Sequence, residues 1–167
     1  MALFRCSTSG GGGGSGNITE LIPTMTSNTT PSGKCTLRAQ GSADHTAYYA
    51  FDNNKDTYFG GSASGSGSSR YNWVAYTFDA PVKATMAVVI PHNSTTTSSI
   101  YVDGSNNHVD YQTVGDFDIL SETKTCTSGK VYYFKLNPTQ AYKTYRVYMV
   151  SNSGSIGCYY FQIFGEE

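Results

Sequence analysis

The chain has 167 residues and a net charge of −1, with only 11 Lys and Arg residues, so it has the length of one domain and lacks the basic surface that nucleic-acid binding requires. Charged residues make up only 14% of the chain, and its polarity comes mainly from Ser, Thr, Asn and Gly, which favours strands joined by turns over helices. No stretch reaches the roughly 18 apolar residues of a membrane span, so membrane insertion is not expected.

The first sixteen residues are predicted to form a separate tether. A short apolar peg at residues 3–6 precedes a Gly-rich spacer at residues 10–16, and a domain at residues 17–167 follows. An engineered linker is one interpretation, but a five-Gly run is not its usual repeat. A natural tether would attach the domain flexibly to a larger assembly. Because the N-terminus has no apolar signal-peptide core, we expect synthesis in the cytoplasm and release by lysis or within a particle.

Strands are predicted along the rest of the chain. Residues 72–78 alternate, which places Trp73 and Val74 on opposite faces, and residues 84–90 are almost continuously apolar, as is typical of a buried central strand. The Gly/Ser-rich residues 60–69 predict an exposed loop. Further strands are predicted at residues 18–22, where one turn of helix is the alternative, and at residues 36–40, 100–103, 131–136, 144–150 and 159–164. Short strands with turns between them predict an all-β antiparallel sandwich or barrel.

The four cysteines, Cys6, Cys35, Cys126 and Cys158, show no C-x-x-C spacing typical of a zinc or redox site. Free buried thiols are therefore favoured over a disulfide. If a disulfide exists, we expect it among the last three cysteines.

A polar loop between aromatic residues carries a family resemblance. The chain reads Ala50-Phe51-Asp52-Asn53-Asn54-Lys55-Asp56-Thr57-Tyr58-Phe59. It is similar to the Ala-x-Asp-Gly-Asn-x-x-Thr-x-Trp loop of the discoidin-like domain, also called the coagulation-factor type C domain. Asn53 stands where the family has Gly, and Asn is the non-Gly residue that best accepts positive φ. The flanking aromatics are expected to pin the loop to the core.

The resemblance extends in order over residues 36–165. Residues 72–78 resemble the family strand Gln-Trp-Ile-x-Val-Asp-Leu, and residues 87–92 resemble the next strand and its Pro-Arg exit. Residues 100–107, 145–148 and 161–165 resemble later strands. The resemblance implies a galactose-binding-like jelly roll, a fold found in many carbohydrate-binding modules.

Within the family the polar loop often holds structural calcium. The resemblance implies Ca²⁺ ligands at Asp52 and Thr57, assisted by Asn54 or Asp56. A carboxylate on the last strand often completes the family site, but the corresponding residue here is Tyr160, and Ca²⁺ takes six to eight oxygens. An Asx turn closed by its own hydrogen bonds is therefore the other interpretation of this loop.

Sugar-binding relatives use loops at one end of the sandwich. The residue that follows Pro91 is often Arg in sugar-binding relatives, and here it is His92. Asn93 comes next in the sequence. Arg70 and Tyr71, at the end of the Gly/Ser-rich segment, complete the predicted carbohydrate-binding residues. The alternative is that His92 is an exposed loop residue without a ligand. Trp73, the single tryptophan, lies inside an alternating strand, so it is expected to pack in the core and not to serve as a sugar platform.

Catalysis has no motif in its favour. There is no Gly-x-Ser-x-Gly, His-Glu-x-x-His or phosphate loop. Three carboxylates lie in turn-like sequence without a paired arrangement, on Asp116, Asp118 and Glu122. The three histidines are widely separated in the sequence, at His45, His92 and His108.

Three functional hypotheses follow. The first is a non-catalytic carbohydrate- or cell-surface-binding module, displayed as several copies or a homo-oligomer on a phage or phage-tail-like virion through its N-terminal segment. The second is a purely structural virion decoration or fibre protein that binds no glycan. The third is an accessory module of a glycoside hydrolase. The expected location is the surface of a virion or extracellular particle, and the expected partners are glycans and other subunits of the particle.

Overall fold

The computed structural model describes residues 18–38, 45–62, 70–93, 97–108, 116–151 and 155–166, so the predicted tether at residues 1–16 lies outside the described part. Within these ranges, one 3₁₀ turn is present, at Ala47–Ala50. The strands are β1 (Ile18–Glu20), β2 (Lys34–Leu37), β3 (Phe59–Ser62), β4 (Arg70–Val82), β5 (Met86–Asn93), β6 (Thr97–Ser105), β7 (Asp118–Ile119), β8 (Lys124–Thr127), β9 (Tyr132–Lys135), β10 (Tyr142–Ser151) and β11 (Ser155–Glu166).

The strands form two antiparallel sheets. The five-stranded sheet has the order β1-β11-β5-β9, with β3 also paired to β11. The six-stranded sheet has the order β2-β4-β10-β6-β7, with β8 also paired to β6. The predicted all-β antiparallel sandwich is therefore confirmed.

Alternating side chains of the two sheets meet in one apolar core. Val74 and Tyr76 of β4 and Phe161 of β11 are buried there. Phe51 joins both layers, because its ring centroid lies 5.7 Å from that of Tyr76 and 5.8 Å from that of Phe161. Phe59, at the other end of the polar loop, is also fully buried. The expectation that aromatic residues pin this loop to the core is confirmed.

The strand predictions fail where the local sequence is rich in Gly or in turn residues. Residues 60–69 were expected to be an exposed loop, yet residues 60–62 belong to β3 and pair with β11, while residues 63–69 lie outside the described part. Strands β7 and β8 were not predicted. In each case pairing with a distant strand outweighs the local preference for turns.

Cys35, Cys126 and Cys158 are buried free thiols, as predicted, while Cys6 lies outside the described residues. Burial raises the pKa of all three thiols, which keeps them protonated and unreactive. In the described part of the chain, no helix has the length and apolarity needed to cross a membrane.

A buried ion pair lies on the outer face of the six-stranded sheet. Arg146 of β10 donates two hydrogen bonds to the Asp103 carboxylate of β6. They run from Nε to Oδ1 at 3.0 Å and from Nη2 to Oδ2 at 2.6 Å. The Arg146 guanidinium also lies 3.6 Å from the centre of the Phe117 ring. Burial raises the pKa of Asp103 to about 6 even with this partner. The two short hydrogen bonds from the guanidinium favour the ionised carboxylate, whose charge Arg146 compensates.

Trp73 is fully buried, as predicted, but it lies on this outer face and outside the core between the sheets. Its ring centroid is 5.6 Å from the Arg146 guanidinium and 5.7 Å from the His108 ring, which meets it edge-on. The side chains above it therefore keep Trp73 away from any ligand.

Replacement of Arg146 by Met leaves the buried Asp103 carboxylate without its cation. We expect a loss of about 3–5 kcal/mol in the free energy of unfolding, measured by urea denaturation at pH 7. The double variant Arg146→Met/Asp103→Leu removes both charges and should recover much of this loss. A single variant within about 1 kcal/mol of the wild type would show that the pair is not compensating a buried charge.

Candidate functional site

The polar loop is closed by its own hydrogen bonds. Asp52 Oδ1 accepts a bond from the Asn54 backbone N–H at 2.9 Å, and Thr57 Oγ1 donates to Asp52 Oδ2 at 2.6 Å. The side-chain oxygen of Asn54 accepts the backbone N–H of Asp56 at 3.0 Å. Asn53 has φ of 56°, which confirms that Asn stands at the left-handed position of the family Gly. These are the bonds of consecutive Asx turns.

This loop does not fit a calcium ion well. Both Asp52 oxygens, the Thr57 hydroxyl and the Asn54 amide oxygen are engaged in the loop itself. Tyr160, at the position of the family carboxylate, is buried on the last strand. Within the described ranges, no three His, Cys, Asp or Glu side chains are grouped to hold a metal. We favour the self-bonded turn, and calcium binding stays a prediction.

Four aromatic rings form a cluster beside the loop, on the five-stranded sheet. Tyr58 lies between two histidines, with ring centroids 4.3 Å from His45 and 3.7 Å from His92. Tyr159 of β11 meets His92 edge-on at 5.1 Å and Tyr58 at 5.7 Å. The half-buried His92 is thus part of a strand and a ring cluster, so the alternative that it is an exposed loop residue is wrong. Burial, with the charge of His45 as a smaller cause, lowers the pKa of His92.

Tyr159 is aimed by a bulge in its strand. The register of β11 with β5 shifts between Cys158 and Tyr160, so Tyr159 is the extra residue. Such bulges redirect a side chain and are frequent next to functional sites. Here the bulge lets Tyr159 contact the ring cluster and also line a pocket.

This pocket, which we call the Tyr159 pocket, has a volume of about 270 Å³. Its lining comes from the polar loop, β5, the β8–β9 turn and β11, and consists of Asn54, Lys55, Ile90, Gly129, Tyr159 and Tyr160. The turn is held in place by a 2.8 Å hydrogen bond from Gly129 N–H to the Pro91 carbonyl. The volume lies just below the roughly 300–1,000 Å³ of drug-sized ligand sites, which suits a small ligand such as a sugar residue.

Of the four predicted carbohydrate-binding residues, Tyr71 and His92 have their side chains on different sheets. Tyr71 lies on the outer face of the six-stranded sheet, stacked on Tyr148 at 5.5 Å and under the Arg38 guanidinium at 4.1 Å. His92 lies on the five-stranded sheet, in the ring cluster. Arg70 begins β4 and Asn93 ends β5, with their backbones paired to Ser151 and Ile156.

Sequence reasoning missed the residues that line the pocket. Tyr160 was noted only as a replacement for a carboxylate, and Asn54 only as a calcium ligand. The signal that was available is the Tyr159-Tyr160 pair, because two adjacent aromatics in an alternating strand indicate that one of them faces outward.

Solved structures of carbohydrate-binding modules share this fold. Chitosan-binding module 1 of a chitosanase/glucanase from Paenibacillus sp. IK-5 superimposes with a TM-score of 0.65 at 14% identity, covering 88% of this chain and 99% of that one. A family 32 carbohydrate-binding module from Clostridium perfringens, solved with galactose, gives 0.62 at 12% identity, covering 89% and 99%. These likenesses confirm the galactose-binding-like jelly roll that the sequence predicted.

The same fold also occurs inside a longer enzyme. A Ruminococcus gnavus GH29 fucosidase, solved with fucose, matches with a TM-score of 0.62 at 10% identity, covering 86% of this chain but only 28% of the fucosidase. No family model and no curated protein matches this chain by sequence.

The self-bonded turn predicts that calcium has little effect on stability. We expect the melting temperature in millimolar calcium and in excess chelator to differ by less than about 1 °C, whereas 1 kcal/mol of binding would shift it by roughly 2–4 °C at this size. Thr57→Val removes the hydroxyl bonded to Asp52 and should cost about 1 kcal/mol in both conditions. A chelator-induced drop of several degrees would establish a calcium site.

The lowered pKa of His92 predicts a loss of stability in acid. Protonation favours the unfolded chain, so this contribution is present above the ordinary histidine pKa of 6.5 and is lost as the pH falls below it. His92→Phe keeps a ring against Tyr58 and removes the titration. We expect the free energy of unfolding to fall less in this variant than in the wild type between pH 7.5 and pH 5. Equal losses would mean that His92 does not contribute.

Proposed function

We propose that this protein is a non-catalytic carbohydrate-binding module whose ligand site is the Tyr159 pocket. The observation that carries the proposal is the position of Tyr159, which lines the pocket while its ring is held by His92 and Tyr58. A flat aromatic ring presents an apolar face to the C–H face of a sugar. Binding modules of this fold have been solved with galactose and with chitotriose.

The ring cluster would prepare Tyr159 for its ligand. A tyrosine side chain that is not restrained by its neighbours loses rotamer freedom when a ligand binds against it, and this loss weakens the affinity. Here His92 and Tyr58 already restrict the Tyr159 ring, so binding would order little further. His92 is then a positioning residue and not a sugar contact, because it does not line the pocket.

The pocket favours binding over hydrolysis. Glycosidases typically need two carboxyl groups flanking the scissile bond. None of the six described residues that line the pocket carries a carboxylate. The 28% share of the R. gnavus fucosidase is compatible with a role as an accessory module.

We also propose display on a larger particle, with several copies adding their weak affinities. The motivation is the sequence of residues 1–16, in which an apolar peg is followed by a glycine run. Mass spectrometry of purified phage or phage-tail-like particles tests this location. The chain should be among their proteins, and its absence would favour the accessory-module role.

Tyr159→Ala should weaken glycan binding by about tenfold or more, because it removes the ring that we propose contacts the sugar. The measurement is binding to a glycan array, followed by titration of the best ligand. Tyr71→Ala is the matched control, since Tyr71 belongs to a stacked pair on the opposite face of the sandwich. The glycan affinity of the Tyr71→Ala variant should equal that of the wild type.

Two results would contradict the proposal. If multivalent wild-type protein binds no glycan on the array, the protein is not a carbohydrate-binding module, and the structural hypothesis gains. If Tyr71→Ala abolishes binding and Tyr159→Ala does not, the site lies on the six-stranded sheet. Circular dichroism and the melting temperature of each variant verify that both remain folded.

A further inference from the structure

We infer that the Tyr159 pocket selects an acidic sugar, that is, a sugar residue bearing a carboxylate or sulfate group. This inference rests on the proposed function, because it names the ligand class of the same pocket. It follows from the charges and hydrogen-bonding groups around the pocket.

The charged group of the pocket is a cation. Lys55 is the charged residue among the six that line it, and its side chain is exposed at the tip of the polar loop. Among the described residues, the Lys55 ammonium forms no ion pair. It is therefore available to an anionic ligand at the pocket.

Asn54 adds donors to the same rim. Its side-chain oxygen already accepts the Asp56 backbone N–H at 3.0 Å. Its backbone carbonyl accepts the Thr57 backbone N–H at 3.3 Å. The Asn54 side-chain NH₂ adds two donor hydrogens.

Three carboxylates lie near the pocket, on Asp52, Asp56 and Glu20, and none of them is among its described lining residues. The charge of Glu20 helps to raise the pKa of Tyr160. Both carboxylate oxygens of Asp52 accept hydrogen bonds within the loop, one from the Asn54 backbone N–H and one from the Thr57 hydroxyl. Asp56 follows Lys55 directly but does not line the pocket. The lining that the loop contributes thus consists of Asn54 and Lys55 and contains no carboxylate.

Such a site discriminates between neutral and acidic sugars. A sugar hydroxyl both donates and accepts, so a site for neutral sugars gains from carboxylates or amide oxygens that take its protons. A carboxylate or sulfate only accepts, and its hydrogen bonds to charged donors are the stronger ones. The Tyr159 ring would hold the sugar ring while Lys55 and Asn54 hold the anionic group.

The experiment compares sugars that differ only in the acidic group. Polymer probes carrying glucose or glucuronate, and galactose, galacturonate or 6-sulfogalactose, are titrated against the full chain immobilised on a sensor. We expect at least one acidic probe to bind about tenfold or more tightly than its neutral counterpart. Higher salt should reduce the ratio of acidic to neutral affinity, because it screens the charge of the exposed Lys55 ammonium.

Lys55→Gln should reduce the ratio of acidic to neutral affinity toward one, because it removes the positive charge from the lining of the pocket. Lys143→Gln is the control, because Lys143 is an exposed lysine on β10, in the other sheet. It changes the net charge equally and should leave the ratio as in the wild type.

The outcomes separate the two proposals. Binding of neutral sugars as tightly as acidic ones overturns the acidic-ligand inference and leaves the proposed function standing. Equal effects of Lys55→Gln and Lys143→Gln overturn it too, because the preference would then reflect net charge alone. Failure of every probe and every arrayed glycan to bind overturns both proposals.

Discussion

The backbone of β3 lies so close to β11 at Gly157 that no side chain fits between the strands. A β-carbon at this position would lie 1.8 Å from the Phe59 carbonyl oxygen and 2.6 Å from the Gly60 α-carbon. Any other residue would have to push β3 away. Because β3 continues directly from the polar loop, this contact sets where Asn54 and Lys55 lie relative to Tyr159 and Tyr160. The candidate site depends on a glycine that does not line it.

Two features of the same region turn this contact into a preformed pocket. The bulge at Tyr159 breaks the alternation of β11, and the ring cluster of His45, Tyr58 and His92 restrains the redirected ring. The Asx turns then fix the loop that brings the cation and the amide donors. Each element is stabilised without a ligand, as is expected of a site that binds with little rearrangement.

The sequence predicted those parts of the fold that depend on short-range pattern. The alternation of residues 72–78 separated Val74 and Tyr76 from Trp73, and the positive φ of Asn53 followed from the loop motif. The alternation did not identify the core face, and the expectation that Trp73 packs in the core was wrong. The sequence did not predict β3, whose pairing depends on β11 nearly a hundred residues later. Nor did it predict that Tyr71 and His92 lie on opposite faces, because that depends on which sheet each strand joins. The pocket likewise combines four distant segments and a bulge that no local pattern reveals.

The most direct test of the central claim is to map a bound sugar on the protein by NMR. An acidic monosaccharide is titrated into labelled protein, and the amide shifts are followed residue by residue. We expect the largest changes at Lys55, Gly129 and Tyr159, with little change at Tyr71 or Tyr148 on the other sheet. Changes concentrated on the six-stranded sheet, or no changes with any sugar, would contradict a binding site at the Tyr159 pocket.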